Sequence, residues 1–218
     1  QIEGKDLVLA VLLSLGLGIG LFFLLPALVT GWLDGPLGIE RLGTLGTWLS
    51  NLMEGLLRLT LLVVYLAVVG RMPEIRRVFS YHGAEHKTIN AFEGRADLTP
   101  KNVSEFTLVH PRCGTSFMLT LVLISILFFS LLGPLPLHRR LLTRILLLPV
   151  VSGIAYEYIR FAANHMDESA LVRALIKPNL ALQKLTTREP SEDMLEVSIK
   201  AFNLMYAAEQ KASESSSA

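Results

Sequence analysis

The longest uncharged run in the chain extends from Leu7 to Leu33 and restricts the fold more than any other feature. A hydrocarbon core of ~30 Å requires about 20 consecutive apolar residues in a helix, and this run is longer than that. It lacks the short apolar core and small-residue cleavage site of a secretory signal peptide, so it is typical of a membrane anchor. Pro26 lies inside the run and predicts a kink. The sequence therefore predicts a transmembrane helix here.

Three further apolar stretches indicate an all-α, polytopic membrane protein with about four transmembrane helices. They run over residues 48–70, 115–137 and 141–163. Only 18% of the 218 residues are charged, whereas soluble proteins carry about 25%. The net charge of +1 is small, and no basic cluster is interleaved with aromatic residues, so no nucleic-acid partner is expected. The expected partner is the lipid bilayer.

These spans divide the chain into four predicted parts. They are a first transmembrane hairpin (1–70), a polar helix and loop (71–114), a second transmembrane hairpin (115–165) and a helical tail (166–218). In the tail, the pattern predicts short amphipathic pieces at 169–177 and 178–187, a helix ending near Ala208, and then a low-complexity end.

The distribution of basic residues predicts the orientation. Seven lysines and arginines lie in 71–114 and seven more from Arg160 onward, against one in 34–47 and two in 138–140. Basic segments favour the cytoplasmic side of a membrane. The 71–114 segment and the C-terminal tail are therefore expected in the cytoplasm.

Charged residues also occur inside the predicted spans. Glu54 and Arg58 are spaced i,i+4, the favourable order for a helical ion pair. Such charges either face a bundle interior or lie near the interface and snorkel to water, and the sequence leaves both alternatives open. In the fourth span Glu157, Arg160 and His165 share one helical face with Asn164.

The segment from Pro73 to Gly94 predicts a helix with an unusual polar stripe. Proline suits the first helical position and glycine the position past the end. One stripe collects Ile75, Val78, Phe79, His82, Glu85, His86, Ile89 and Glu93, and the opposite face collects Arg76, Arg77, Ser80, Ala84 and Lys87. His82, Glu85 and His86 form an H-x-x-E-H motif, in which two imidazoles one turn apart can bind one metal ion. The alternative is a buried polar network without metal.

The loop before the third span supplies two more candidate ligands. His110-Pro111-Arg112-Cys113 has the H-x-x-C spacing of a two-ligand clip. Cys113 is the one cysteine of the chain, so an internal disulfide is excluded. With His82 and His86, this loop predicts a site for a divalent metal ion, most readily zinc. Glu93, Glu157 and His165 are candidates for additional ligands or for groups that support the ligands.

Three phrases, YHGAEHKTINAFE, HPRCGTSF and LTTREP, resemble the YqhQ-like family of bacterial integral membrane proteins of unknown function. Members are often described as predicted metal-dependent enzymes, and the resemblance covers nearly the whole chain. It implies a bacterial inner-membrane protein with His82, Glu85, His86, His110 and Cys113 as the candidate site. In that family a glycine-rich segment precedes the first span, so a further N-terminal portion is expected before Gln1. The motif also resembles that of inverted zinc peptidases, where Glu85 would be the general base and Glu157 or Glu168 a distant third ligand.

Three functions stay open at this stage. The first is a metalloprotein with a cytoplasmic-face His/Glu/Cys site, acting as a metal-dependent hydrolase near the membrane surface with Glu85 as catalytic base. The second is an oligomeric channel or transporter that uses Glu54, Arg58 and Glu157 within the membrane. The third is a non-catalytic assembly protein with a structural metal. The sequence identifies no substrate, and a homo-oligomer is compatible with the glycine-rich first span.

Overall fold

The computed structural model describes residues 4–133 and 135–216, without the side chains of Glu40 and Ser216. All regular elements in these ranges are helical, which confirms the predicted fold class. A π-helical turn interrupts the first helix and a 3-10 turn, Ile39–Leu42, precedes the second. The α-helices are α1 Gly4–Asp34, α2 Gly43–Val69, α3 Pro73–Glu93, α4 Pro100–Ser104, α5 Gly114–Ser130, α6 Leu137–His165, α7 Ala170–Gln183 and α8 Glu192–Ser216.

Three of these helices, α1, α2 and α6, are long and apolar enough to cross a membrane, and α5 is a shorter apolar helix. The predicted end of the third span at Leu137 is wrong, because α5 stops at Ser130 after 17 residues. Gly133 has a φ of +68°, and prolines at 134 and 136 disfavour helical backbone in the residues before them. The next helix consequently begins at Leu137 instead of Leu141.

The chain divides into two compact units. The first unit contains the described residues through Tyr65 together with Phe117–Phe161, and so holds most of the four apolar helices. The second unit contains Leu66–Ser116 and the residues from Ala162 onward. Both polar segments identified in the sequence, 71–114 and the tail, lie in this second unit.

The irregularity expected at Pro26 is a π-helical turn over Gly20–Leu24. Proline has no N–H group, so residue 26 cannot donate to the carbonyl of Phe22 four residues earlier. That carbonyl accepts a hydrogen bond of 2.7 Å from Arg58 Nε instead. The irregular turn thus supplies a backbone acceptor for a buried guanidinium group.

Glu54 lies at the centre of a buried ionic network in the first unit. Its carboxylate accepts hydrogen bonds from Arg58 at 2.7 Å, from Arg140 at 3.0 Å and from Arg144 at 2.8 and 3.0 Å. The side chains of Glu54 and Arg58 are 2% and 1% exposed. The bundle-interior alternative for this pair is therefore confirmed, and the snorkelling alternative is wrong. Arg140, predicted in a turn, lies in α6 and is buried.

In the second unit, the face through which α3 packs differs from the predicted stripe. Ala84 and Ala91 are fully buried in one cluster with Leu195 and Ile199 of α8. Val78, which belongs to the predicted stripe, is 57% exposed. Small side chains let two helix backbones approach closely. A prediction of the buried face from large apolar residues alone therefore misses a face made of alanines.

Lys87 lies on the same overlooked face and is buried. Its Nζ donates to the carbonyl of Ser104 at 2.6 Å and pairs with Glu189 at 2.6 Å. One residue further, the hydroxyl groups of Thr88 and Ser198 lie 2.9 Å apart and join α3 to α8. The buried amine is thus neutralised and hydrogen-bonded, as burial of a charge requires.

The predicted division of the tail needs two corrections. The pieces expected at 169–177 and 178–187 form one helix, α7, with Pro178 inside it. The Ser169 hydroxyl accepts from the Val172 amide and caps the start of this helix. The last helix continues to Ser216, beyond the expected end at Ala208, because alanine, glutamate, glutamine and lysine in this stretch favour helix.

Candidate metal centre

Three potential metal ligands converge in the second unit. His82 and His86 are one turn apart on α3, and their ring centroids are 4.3 Å apart. Cys113 directly precedes α5, and its Sγ lies 3.3 Å from Nε2 of His82. One ligand atom of each residue lies within 4.8 Å of the other two. The structure thus brings together the helix motif and the loop cysteine, although 26 residues separate them in sequence.

Gly83, between the two histidine positions, allows a close backbone contact. A Cβ at this position would overlap the carbonyl oxygen of Arg188. The Arg188 amide in turn donates to the carbonyl of Phe79 at 3.0 Å. The segment after α7 is therefore held against the histidine-bearing turn of α3.

Backbone carbonyls determine the tautomer of both histidines. Nδ1 of His82 lies 2.9 Å from the carbonyl oxygen of Thr186, and Nδ1 of His86 lies 2.6 Å from that of Leu108. Since a carbonyl oxygen only accepts, each Nδ1 carries the proton. Nε2 is consequently the ring atom through which each histidine can bind a metal ion, which in His82 replaces the contact with Cys113 Sγ. Metal-binding histidines are commonly oriented in this way.

The same contacts favour the thiolate form of Cys113. Burial raises the pKa of this thiol, but hydrogen bonds with His82 and His86 and with the Thr115 amide lower it to about 5. The amide lies 3.4 Å from the sulfur. Contact with Cys113 raises the pKa of His82, and desolvation opposes this shift. Thiolate is the form in which cysteine binds metals.

Gln183, which is fully buried, fixes the loop that carries Cys113. Its Oε1 accepts from the His110 amide at 2.9 Å, and its Nε2 donates to the His110 carbonyl at 2.7 Å and to Ser116 Oγ at 2.6 Å. The hydroxyl groups of Thr115 and Thr186 lie 3.0 Å apart. Sequence reasoning missed Gln183 and Thr186, although Thr186 lies in the LTTREP phrase that carries the resemblance.

His110 lies beside the three converging ligands. Its ring centroid is 5.9 Å from that of His86. Its Nε2 is 3.4 Å from Glu93 Oε2, without the geometry of a hydrogen bond, and has no hydrogen-bond partner among the described residues. Desolvation lowers the pKa of His110 while Glu93 opposes this shift. Burial therefore favours the neutral form of this imidazole, whose Nε2 faces Glu93 beside the site.

Glu85 and Glu93 reach the site from α3. The Glu85 side chain is exposed, and Glu93 is hydrogen-bonded to Arg112. A cavity of about 370 Å³ connects these groups. It is lined by His82, Glu85, His86, Ile89, Glu93, His110, Arg112, Cys113 and Gly114. The ligand cluster therefore borders a cavity on one side.

The two remaining candidates lie outside the converging group. Glu157 belongs to the first unit, where its side chain is 66% exposed and 3.8 Å from Arg160. His165 is the last residue of α6 and belongs to the second unit. Among the described residues, the group that could hold a metal ion consists of His82, His86 and Cys113 and includes neither of these two.

Comparison with known proteins gives a family without an assigned activity. A family model described as "Protein of unknown function (DUF1385)" matches residues 1–208. The chain is 39% identical over 157 residues to "Uncharacterized protein YqhQ" of Bacillus subtilis (strain 168). The aligned region covers 72% of this chain and 49% of that protein, so the chain spans about half the length of the relative it matches. No solved structure matches the chain significantly.

Proposed function

Because the chain belongs to the DUF1385 family of proteins of unknown function, its activity has to be argued from its site, and we propose that it is a membrane-bound zinc hydrolase. The ligands are Nε2 of His82, Nε2 of His86 and Sγ of Cys113. These three ligands leave the fourth position of a catalytic zinc site open to water, and His110, whose buried Nε2 has no hydrogen-bond partner among the described residues, is placed to contact that water. The proposal places the protein in the bacterial inner membrane.

One observation supports this proposal above the others. Three donors of the types that zinc prefers, two imidazoles and a thiolate, converge with their ligand atoms within 4.8 Å. Backbone carbonyls already hold both imidazoles in the required tautomer. Without a metal ion, a proton on Nε2 of His82 holds it against the Cys113 sulfur at 3.3 Å, and zinc can replace that proton while it binds all three side chains.

The chemistry follows from what surrounds the ligands. Such a site would gain from zinc the Lewis acidity that hydrolysis of an ester or amide requires. Glu85, at the cavity and outside the ligand group, can accept the proton of the attacking water and return it to the leaving group. Arg112, half exposed beside Glu93, can bind an anionic portion of the substrate.

Two alternatives are weaker on the same observations. A purely structural zinc site is usually closed by four protein ligands, whereas this cluster borders a cavity of about 370 Å³. A channel or transporter would need mobile or hydrated charges. Glu54 is instead bound by three arginines in the first unit, which suits a structural role.

Elemental analysis of the purified, folded protein tests the proposal. We expect about one zinc ion per chain, and its loss in His82→Ala, His86→Ala and Cys113→Ser. His138→Ala is the matched control, since His138 is exposed in α6 and distant in sequence from the motifs. Circular dichroism separates metal loss from unfolding. Wild-type protein that is folded, supplied with zinc and still free of metal would overturn the proposal.

A further inference from the structure

Within the second unit, α7 connects the ends of α2 and α6, two helices that are long and apolar enough to cross a membrane. Four residues separate the end of α6 at His165 from the start of α7 at Ala170. At the other end, a Cβ on Gly70, directly after α2, would lie 3.4 Å from the carbonyl oxygen of Leu185. The last residues of α2 and α6 and the whole of α7 belong to this unit. Its 14 residues span ~21 Å, so α7 runs from the end of one such helix to the end of the other.

Hydrogen bonds hold the first turn of α7 against the segment that follows α6. The Ser169 amide donates to the carbonyl of His165 at 3.0 Å. Nη1 of Arg173 donates to the carbonyls of Met166 and Asp167 at 3.0 and 2.9 Å. The start of α7 is therefore fixed close to the point at which α6 ends, and a membrane crossed by α6 has its surface near this turn.

One face of α7 is buried in the second unit, and another face is apolar and exposed. Ile176 and Gln183, on the first face, are 1% and 0% exposed. Leu171 and Leu175, on the second, are 69% and 55% exposed. The exposed apolar residues recur at the i, i+3, i+4 and i+7 spacing of a helical stripe, and they are Leu171, Ala174, Leu175 and Pro178. A contiguous exposed apolar patch marks a surface that contacts a protein or a membrane.

Basic side chains lie beside this apolar stripe. Arg173, Lys177 and Lys184 are exposed, and their i, i+4 and i+11 spacing places them on one face. Residues 170–188 contain no aspartate or glutamate. An apolar stripe with lysine and arginine beside it is typical of a helix that lies in a membrane interface. The positive charge favours anionic lipid headgroups, because each lysine near an anionic bilayer adds to the attraction.

We propose that α7 lies in the plane of the membrane interface and binds the surface of an anionic bilayer. Leu171 and Leu175 contact the acyl chains, while Lys177 and Lys184 contact the headgroups of anionic phospholipids. The buried face of α7 stays packed in the second unit at the same time. Lipid is favoured over a protein partner because both ends of α7 are fixed beside the ends of helices that cross the bilayer. This contact does not depend on the proposed zinc site.

Spin labels on single cysteines measure where the apolar stripe lies. In a Cys113→Ser background, the full chain carries a label at Leu171→Cys or Leu175→Cys in bilayers that contain phosphatidylglycerol. Each label should collide often with oxygen, which concentrates among acyl chains, and rarely with a water-soluble nickel complex. Lys101→Cys, at an exposed position in the same unit, is the reference and should show the opposite pattern. Frequent nickel collisions at the stripe would show that it faces water, and few collisions with either reagent would show that protein covers it. Either result would overturn the proposal.

Replacement of Lys177 and Lys184 together by glutamine tests the headgroup contact in a chain that retains Cys113. Both side chains are exposed, so the fold should be preserved. Native mass spectrometry in micelles with equal amounts of phosphatidylglycerol and phosphatidylcholine measures the ratio of the two bound lipids. This ratio should favour phosphatidylglycerol in the wild type and fall by about fivefold or more in the double variant. Lys200→Gln, at an exposed lysine of α8, is the matched control and should keep the wild-type ratio. An unchanged ratio in the folded double variant, or an equal fall in Lys200→Gln, would overturn the assignment to α7.

Discussion

His82, His86 and Cys113 are held by contacts that leave one lone pair of each side chain directed at a shared space. The two histidines donate from Nδ1 to carbonyl oxygens, and Cys113 receives the Thr115 amide. The histidine contacts leave Nε2 to a metal ion, and the sulfur that accepts the Thr115 amide keeps further lone pairs for one. These side chains are therefore oriented without a metal ion, which would lower the conformational entropy lost if one binds.

The thiol gives the first prediction at the scale of residues. With metal bound, Cys113 should react slowly with iodoacetamide, because its lone pairs are engaged. After chelation the rate at pH 7 should rise sharply, since the pKa of this thiol is about 5 and the thiolate is the reactive form. Alkylation of the metal-free protein should fall as the pH is lowered through about 5. Mass spectrometry of the modified chain measures each rate.

His82→Ala tests whether the contact with His82 causes the low pKa of the Cys113 thiol. It removes the imidazole that contacts Cys113 most closely, so the pH midpoint of alkylation should move upward toward the ordinary value of 9.0. His138→Ala should leave the midpoint in place. If a chelator does not change the labelling of folded wild-type protein, Cys113 is not a ligand.

Glu85 gives the second prediction. Its carboxylate lines the cavity but is not in the group of converging ligands. Glu85→Gln should therefore retain zinc while lowering hydrolysis by about 10²- to 10⁴-fold, since the amide conserves size and cannot accept a proton. Zinc content and turnover of a panel of ester and peptide substrates are measured on the same preparation. Loss of zinc in this variant would make Glu85 a ligand instead of a base.

At the scale of elements, local pattern predicted most helices and missed their packing. Proline at the start and glycine at the end predicted α3 to within one residue, because both signals are local. Ala84 is buried against α8, and Lys87 pairs with Glu189, in both cases more than 100 residues later, so no local period encodes these contacts. Arg144 was missed for the same reason, since its partners Glu54 and Asn51 lie on another helix.

Gly83 gives a prediction that tests how α3 is held. Replacement of a helical glycine by alanine usually stabilises a helix by ~1 kcal/mol. In Gly83→Ala the new methyl group would instead overlap the Arg188 carbonyl and displace the segment containing Thr186, which orients His82. Zinc affinity should fall by about 10- to 100-fold, as measured by competition with a chromogenic chelator.

Gly153→Ala is the matched control, because a Cβ there would meet nothing within 4 Å. This variant should bind zinc normally and unfold at the same temperature or higher. Normal zinc affinity in Gly83→Ala would show that the backbone after α7 does not determine the orientation of His82.

The buried network gives a prediction for the helices of the first unit. Glu54→Gln leaves three guanidinium groups without their shared carboxylate, so the free energy of unfolding should fall by about 3–5 kcal/mol. Glu157→Gln makes the same chemical change at a side chain that is 66% exposed, where an effect within ~0.5 kcal/mol is expected. Thermal unfolding in detergent compares the two. Equal stability of both variants would contradict a structural role for Glu54.

At the scale of the whole molecule, contacts within the second unit restrict the membrane topology. Gln183 in the tail is hydrogen-bonded to His110 in the 71–114 segment, so both lie on the same side of a membrane. The chain between them must therefore cross an even number of times. This favours a crossing by α5 as well as by α6, although 17 residues span only ~25 Å. A locally thinner bilayer accommodates such a helix at modest cost.

The sequence predicted that the 71–114 segment and the tail lie on the same side of the membrane. That prediction used only the count of basic residues in each segment, and the preference of basic segments for one side is statistical. The hydrogen bonds of Gln183 provide an independent physical reason for an even number of crossings between His110 and Gln183. The sequence offered no signal for these hydrogen bonds. The side of the membrane is still a prediction, since the contacts determine which segments lie together and not which compartment they face.

Labelling of single cysteines tests both the parity and the side. In a Cys113→Ser background, Lys101→Cys and Lys211→Cys introduce thiols at exposed positions in the two basic segments. A membrane-impermeant maleimide should label both in inverted vesicles and neither in intact spheroplasts, because basic segments favour the cytoplasm. Leu45→Cys, at a side chain that is 68% exposed near the start of α2, should show the opposite pattern.

Labelling of Lys101→Cys and Lys211→Cys from opposite sides would contradict the even number of crossings. Labelling of both from outside would keep the even number of crossings and reverse the orientation, and would place His82, His86 and Cys113 outside the cytoplasm.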